Sequence, residues 1–288
     1  MKQGNKPGDM EYPIIDAHQH FWNYDPVRDQ WITEEMQVLR KNYLPEDIEP
    51  VFLQNHIAGS VLVQADASES ENEFLLGLAE QNKFIKGVVG WVDFEYAGLE
   101  ERLEYYCHRP LMKGFRHILQ RERQRDSMLN PAFRKGLGML RKFEFTYDLL
   151  IMPDQLGFAE QLVAAFPDQK FVIDHLAKPY IRQWIISEWK TAMKKFSSFQ
   201  NVSCKISGMV TEANWEYWEE YDFRPYMDTI LETFGTRRVM YGSDWPVCLL
   251  AGKYEDVKRI ADDYFNSFSL SEQADFFGGN AKNFYQLE

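Results

Sequence analysis

Eight short apolar runs recur along the chain, at about residues 14–20, 60–66, 84–92, 111–118, 145–152, 171–176, 201–207 and 238–244. Runs such as Ser60-Val61-Leu62-Val63-Gln64-Ala65 and Phe171-Val172-Ile173-Asp174-His175 are β-branched and apolar without strict alternation, the pattern of strands buried on both faces of a parallel sheet. Between them lie helical patterns at 70–82, 98–108, 131–143, 153–166, 184–199 and 225–234. In the fourth, Leu156, Ala159, Leu162, Val163 and Phe166 fall on one face, and Pro153-Asp154 supplies a fixed first turn with a favourable acid. Strand then helix, repeated, predicts right-handed parallel crossovers. Eight such units close into a (β/α)8 TIM barrel of the α/β class, whereas an open doubly wound sheet would call for a Gly-rich first turn that is missing here. The 288 residues suit one barrel, since that fold runs to about 250 residues as a single unit. The expected domain covers residues 13–288, behind a flexible lead-in at 1–12.

Composition narrows the function classes. Hydrophobic residues at 45% and charged residues at 26% give ample material for a core. A formal charge of −12, with no Lys/Arg cluster to offset it, argues against a nucleic-acid partner. No run approaches the roughly 20 apolar residues that span a bilayer, so no membrane partner is expected. Three cysteines without Cys-x-x-Cys spacing argue against a disulfide framework and for a reducing, cytoplasmic setting. The remaining partner is a small-molecule substrate, and a homo-oligomer is compatible with all of this.

Barrel active sites sit at the C-terminal ends of the strands, and the chain is conspicuously polar there. The first run ends in His18 and His20, the second near Gln64, the third near Trp91 and Asp93, the fourth in Arg116 and His117, the sixth in His175, the seventh in Lys205 and the eighth in Asp244. Four of the six histidines thus occupy strand ends. Alternate residues of a strand point the same way, so His18 and His20 present two imidazoles to one ion or one substrate oxygen. Asp244 joins them only if the sheet closes.

Taken together, Ile15-Asp16-Ala17-His18-Gln19-His20-Phe21-Trp22, Lys113-Gly114-Phe115-Arg116-His117-Ile118-Leu119-Gln120, Val172-Ile173-Asp174-His175-Leu176-Ala177-Lys178-Pro179, Lys205-Ile206-Ser207-Gly208, Tyr241-Gly242-Ser243-Asp244-Trp245-Pro246 and Gly278-Gly279-Asn280-Ala281 resemble the amidohydrolase superfamily, and within it the amidohydrolase-2 group that includes sugar lactonases. The resemblance implies a catalytic constellation of His18, His20, His175 and Asp244, with Asp244 taking a proton from the attacking water and passing it to the leaving oxygen. The same four residues are the ligands if a single metal is bound. The fifth run, Tyr147-Asp148-Leu149-Leu150-Ile151-Met152, ends without a histidine, so a binuclear site is not expected. Either no metal is obligatory or one divalent ion is held, zinc being preferred for two imidazoles and a carboxylate with an open position. Lys113 lies too deep to serve as a bridging ligand and is read as structural.

The activity implied is hydrolysis of a small sugar lactone, an aldonolactone of the L-fucono or L-rhamnono type. Trp22, Trp91 and Trp245 would face the sugar ring, while Gln64, Arg116, His117 and Lys205 would bind its oxygens, Arg116 through its planar guanidinium. The alternatives are a pyrone-dicarboxylate lactonase, an aromatic-acid decarboxylase on the same barrel, or a non-catalytic small-molecule-binding barrel. The Trp-rich segment 209–226 is read as a lid or rim, or as a surface helix packed on the barrel.

Overall fold

The computed structural model describes residues 12–288, so the lead-in expected at 1–12 lies, Tyr12 apart, outside the described residues. Eight parallel strands follow one another around a single sheet in chain order: β1 (Ile14–Gln19), β2 (Ile57–Val63), β3 (Ile85–Gly90), β4 (Met112–His117), β5 (Thr146–Leu149), β6 (Phe171–Ile173), β7 (Val202–Ile206) and β8 (Val239–Tyr241). A parallel bridge between Gln19 and Trp245 closes the cylinder. Two backbone bonds secure that seam: His20 N–H donates to Trp245 O (2.7 Å) and Asp244 N–H to His18 O (2.8 Å). Barrel closure and the meeting of His18, His20 and Asp244 are therefore one event. The (β/α)8 expectation is met.

The crossovers carry α1 (Pro45–Gln54), α2 (Glu69–Gln81), α3 (Leu99–Cys107), α4 (Pro131–Leu137), α5 (Leu156–Ala165), α6 (Ser187–Lys194), α7 (Met209–Glu212) and α8 (Glu220–Phe234), and α9 (Tyr254–Phe265), α10 (Leu270–Ala274) and α11 (Asn280–Tyr285) follow β8. The helix α1 was not anticipated. Pro45 at its first position and Asp47, whose Oδ2 accepts the Leu44 N–H at 2.8 Å, start it, while Pro50 inside it obscures the periodicity. Likewise α8 starts at Glu220 rather than at 225, because Asp222 Oδ2 accepts the Glu219 N–H (2.9 Å) and Pro225, within the first two turns, forfeits only one backbone bond. Among the described residues no helix is long and apolar enough to cross a membrane.

Two apolar layers result. The larger lies between sheet and helices; the smaller fills the barrel interior, where Ile15, Ala17, Val61, Val63, Val89, Val172 and Met240 meet Ala281, Phe284, Tyr285 and Leu287 from the C-terminal segment. The segment around α11 thus plugs the lower end of the barrel. Lys113 reaches that end, donating to Gln286 O at 3.1 Å, which fits the structural reading.

Candidate active site

Strands β6 and β8 stop short of the residues that matter. After Ile173, His175, Leu176, Ala177 and Lys178 all adopt left-handed backbone (φ +53°, +55°, +55° and +49°), and Asp244 does the same after β8 (φ +59°). Non-glycine residues pay for that conformation, and a run of four persists only where surrounding contacts hold it. Here the result is convergence. The His18 and His20 Nε2 atoms lie 3.2 Å apart, and Asp244 Oδ1 sits 3.3 Å from His20 Nε2, 3.8 Å from His175 Nε2 and 3.9 Å from His18 Nε2. All four side chains are buried.

Each imidazole is aimed by its other nitrogen. His20 Nδ1 donates to the Val63 carbonyl (2.7 Å), which turns Nε2 toward the cluster. His175 Nδ1 pairs with Ser207 Oγ at 2.9 Å, and His18 Nδ1 faces Asp174 Oδ1 at 3.3 Å. Burial lowers the His175 pKa to about 4, against the opposing pull of Asp244 and Asp174, and it drives His18 well below the usual imidazole value. For Asp244, burial favours the neutral acid, but His175, His20 and His18 outweigh it and hold the carboxyl well below the ordinary range. Asp244 is therefore an ionised carboxylate facing neutral His18 and His175 rings at neutral pH.

Metal–nitrogen and metal–oxygen bonds of ~2.0–2.2 Å in a tetrahedral set put ligand atoms roughly 3.3 Å apart. In the trio of His18, His20 and Asp244 two of the three pairs have that spacing (3.2 and 3.3 Å) and the third, His18 to Asp244, is wider at 3.9 Å, while the Val63 carbonyl and Asp174 supply the outer partners that ligating imidazoles need. His18, Asp174 and His175 form a second close group, but it shares His18, and both Asp174 oxygens already face cations.

Beneath the cluster lies a buried chain of charges. Arg116 Nη1 donates to Asp174 Oδ2 (3.0 Å), Lys205 Nζ lies 3.1 Å from Asp174 Oδ1 and donates to Asp148 Oδ2 (2.6 Å), and the Tyr285 hydroxyl donates to the same Asp148 oxygen (2.7 Å). Burial opposes ionisation of Asp174, yet Lys205, His18 and Arg116 pull its carboxyl well below the usual range. Asp148, with fewer cations, is pushed up to about 6 by burial. Asp16 plays a related part at the seam: it accepts the His18 N–H (3.1 Å), the Ser243 N–H (2.9 Å) and the Tyr254 hydroxyl (3.1 Å), fastening the end of β1 to the end of β8.

Three members of the cluster, His20, His175 and Asp244, line the floor of a cavity of about 290 Å³. His20, Arg116, His175 and Asp244 line it below; Trp22, Trp31, Met36 and Trp215 supply apolar wall; Gln120, Arg121, Lys178, Thr211 and Glu212 supply polar wall. Trp215 brings the Trp-rich segment to the rim, whereas Trp218, bonded to Ala251 O at 2.7 Å and tilted against Phe223, packs that segment onto the barrel. Both tryptophans lie between α7 and α8 rather than on a helix, so the segment meets the rim and the barrel through a connecting stretch and not through the aromatic face of a surface helix.

Several expected substrate contacts lie elsewhere. His117 points away from the cavity, to Glu122 (3.2 Å) and the edge of Phe133, because its neighbour Arg116 takes the inward position on β4. Gln64 is fully buried behind Arg116, its carbonyl and its side-chain oxygen both accepting from Nη2 of that guanidinium. Lys205 also lies below the floor, paired with carboxylates. Trp245 packs edge-on against Phe21 and Tyr43, its carbonyl committed to the barrel seam. Trp91 is absent from the cavity wall, its backbone clamped in both directions by Asn72 (2.7 and 2.8 Å). Asp174, Asp148, Ser207, Arg121, Lys178 and Glu212 were not singled out from sequence. For Asp148 and Asp174 a signal existed: a carboxylate inside an apolar strand run must find a buried cation.

Gly208 couples this geometry to the backbone. Its φ is +62°, and a Cβ there would lie 2.6 Å from His175 Nδ1. Gly208→Ala is expected to cost about 1–2 kcal/mol for the left-handed backbone alone. It should also displace His175 and cut kcat at least about tenfold, since ~1 Å of misplacement can cost a hundredfold. Steady-state kinetics with a thermal melt checks this, and wild-type values in both would contradict it.

A barrel of this topology with a His/His/His/Asp cluster at its mouth defines a hydrolase-type site. The amidohydrolase profile matches residues 15–287, and the chain belongs to the amidohydrolase family. An L-fucono-1,5-lactonase of Burkholderia multivorans is 35% identical over 284 residues, covering 95% of this chain and 96% of that protein. An L-fucono-1,5-lactonase of Burkholderia ambifaria is 29% identical over 281 residues, covering 95% and 96%. A crystal structure of an amidohydrolase from Burkholderia multivorans with bound zinc superposes with a TM-score of 0.92 at 35% identity, over 96% of this chain and 100% of that one.

Proposed function

We propose that this enzyme opens a small sugar lactone of the L-fucono-1,5-lactone class by water attack, with Asp244 as general base. The observation that carries the reading is the ionised Asp244 ringed by His18, His20 and His175 on the floor of a monosaccharide-sized cavity. At about 290 Å³ the cavity is at the small end of the ~300–1,000 Å³ range of ligand pockets. The similarity to two L-fucono-1,5-lactonases over nearly the full chain supports the same substrate class.

The chemistry asks for a base, charge stabilisation and a proton donor. Asp244 takes the proton of the attacking water and returns it to the ring oxygen as the ester C–O bond breaks. His175, neutral and fixed through Ser207, orients the water beside Asp244. Arg116 is held by Asp174 and Gln64, so its charge is already in place against the oxyanion that develops on the carbonyl. Trp22 and Trp31 give the C–H faces of a sugar ring an apolar wall.

One divalent ion, zinc by preference, fits His18, His20 and Asp244. When bound it supplies Lewis acidity. A second ion is disfavoured, because β5 ends in leucines and both Asp174 oxygens are occupied by Arg116 and Lys205. Elemental analysis of purified protein is expected to find one equivalent per chain, with activity lost on chelation and restored by zinc; two equivalents would contradict the single site.

A panel of aldonolactones followed with a pH indicator tests the substrate. Five- or six-membered sugar lactones are expected to be opened well above their spontaneous rate. Activity confined to pyrone dicarboxylates or phosphotriesters would overturn the proposal.

A further inference from the structure

Two loops that deliver site residues also deliver an ion pair to the cavity wall. Lys178 is the last of the four left-handed residues begun by His175, so the strained turn after β6 places both side chains on the cavity. Glu212 comes from α7, which follows Gly208 after β7. Lys178 Nζ and Glu212 Oε1 are 2.7 Å apart, with side chains only 17% and 19% exposed, and both line the same wall as Thr211.

We propose that Lys178 and Glu212 are the specificity-determining pair, reading ring hydroxyls of a neutral polyhydroxylated lactone whose carbonyl lies on the Asp244 floor; this rests on the lactonase reading above. The pair offers one strong donor and one strong acceptor side by side, which matches adjacent hydroxyls that each donate and accept. Because Glu212 already neutralises Lys178, this pair adds no net positive charge with which to hold a carboxylate. A carboxylate on the ring would meet the Glu212 charge in a confined space. Trp22 and Trp31 give the same cavity apolar surface, with the Arg121 guanidinium carbon 5.2 Å from the Trp31 ring centre. A wall built to hydrogen-bond hydroxyls strongly rejects an analogue that lacks them, since its polar groups are then left unpaired.

The test compares a hydroxylated six-membered aldonolactone, the unsubstituted six-membered lactone and a lactone bearing a ring carboxylate, in wild type, Glu212→Gln and Lys178→Met. In wild type, kcat/KM is expected to be highest for the neutral hydroxylated ring. In each variant the ratio of kcat/KM for hydroxylated over unsubstituted lactone should fall at least about tenfold. If both substrates decline together, or neither changes, the pair only ties two loops together and the assignment fails. Preference of the wild type for the carboxylated ring also overturns it. A wild type inactive on all three lactones overturns the lactonase reading itself and this assignment with it.

Discussion

Asp244→Asn is expected to fold like the wild type and to lose at least about a hundredfold in kcat, the lower range for removing a general base. The change is nearly isosteric, and Asn tolerates the left-handed backbone that residue 244 adopts (φ +59°). Its backbone N–H keeps the bond to His18 O that closes the barrel. What disappears is the negative charge that three imidazoles hold in the ionised state. The amide cannot accept a proton from water, and it is also a poor ligand for a divalent ion. Initial rates on the best lactone, with a melt to confirm folding, settle the matter. A variant with wild-type kcat would exclude Asp244 as the base.

Lys205→Met has the second large expected effect, on stability. Lys205 is completely buried, with Asp148 Oδ2 at 2.6 Å and Asp174 Oδ1 at 3.1 Å. Removing one partner of a buried ionic network typically costs about 3–5 kcal/mol, because the remaining charge keeps its desolvation penalty. For a chain of this size that corresponds to a fall of roughly 10 °C in Tm. Asp148, already pushed up to about 6 by burial, would lose its cation and take up a proton. Adding Asp148→Asn to Lys205→Met removes the carboxylate left without a cation, so the double variant should recover part of the loss. If the single variant melts with the wild type, the network contributes nothing to stability. If the double variant loses the sum of the two single losses, the residues are not coupled.

Much of the site was legible because barrel strands aim their final residues at one mouth. His18 and His20 could be placed from the two-residue repeat of β1, and Asp244 and His175 from the ends of the last and sixth apolar runs. The same reasoning misplaced Gln64, His117, Lys205, Trp91 and Trp245. Nearness to a strand end does not say whether a side chain points in or out, or whether it reaches the cavity or stops in the layer below. His117 faces outward by alternation, and Lys205 stops one layer short. Lys178 and Glu212 were invisible for a different reason: Lys178 ends a left-handed turn and Glu212 a four-residue helix entered through left-handed Gly208, and neither leaves a periodic trace in sequence.

The order of apolar runs and amphipathic stretches by itself determined the eight-stranded parallel barrel, because strands buried on both faces with intervening helices have few other ways to cover their surfaces. It also determined which residue types crowd the strand ends. Only the tertiary structure decided which of those groups meet. Closure of β8 onto β1 brings Asp244 to His18 and His20, the left-handed run after β6 turns His175 and Lys178 inward, and burial then fixes the charge of each group through neighbours that lie far apart in the chain.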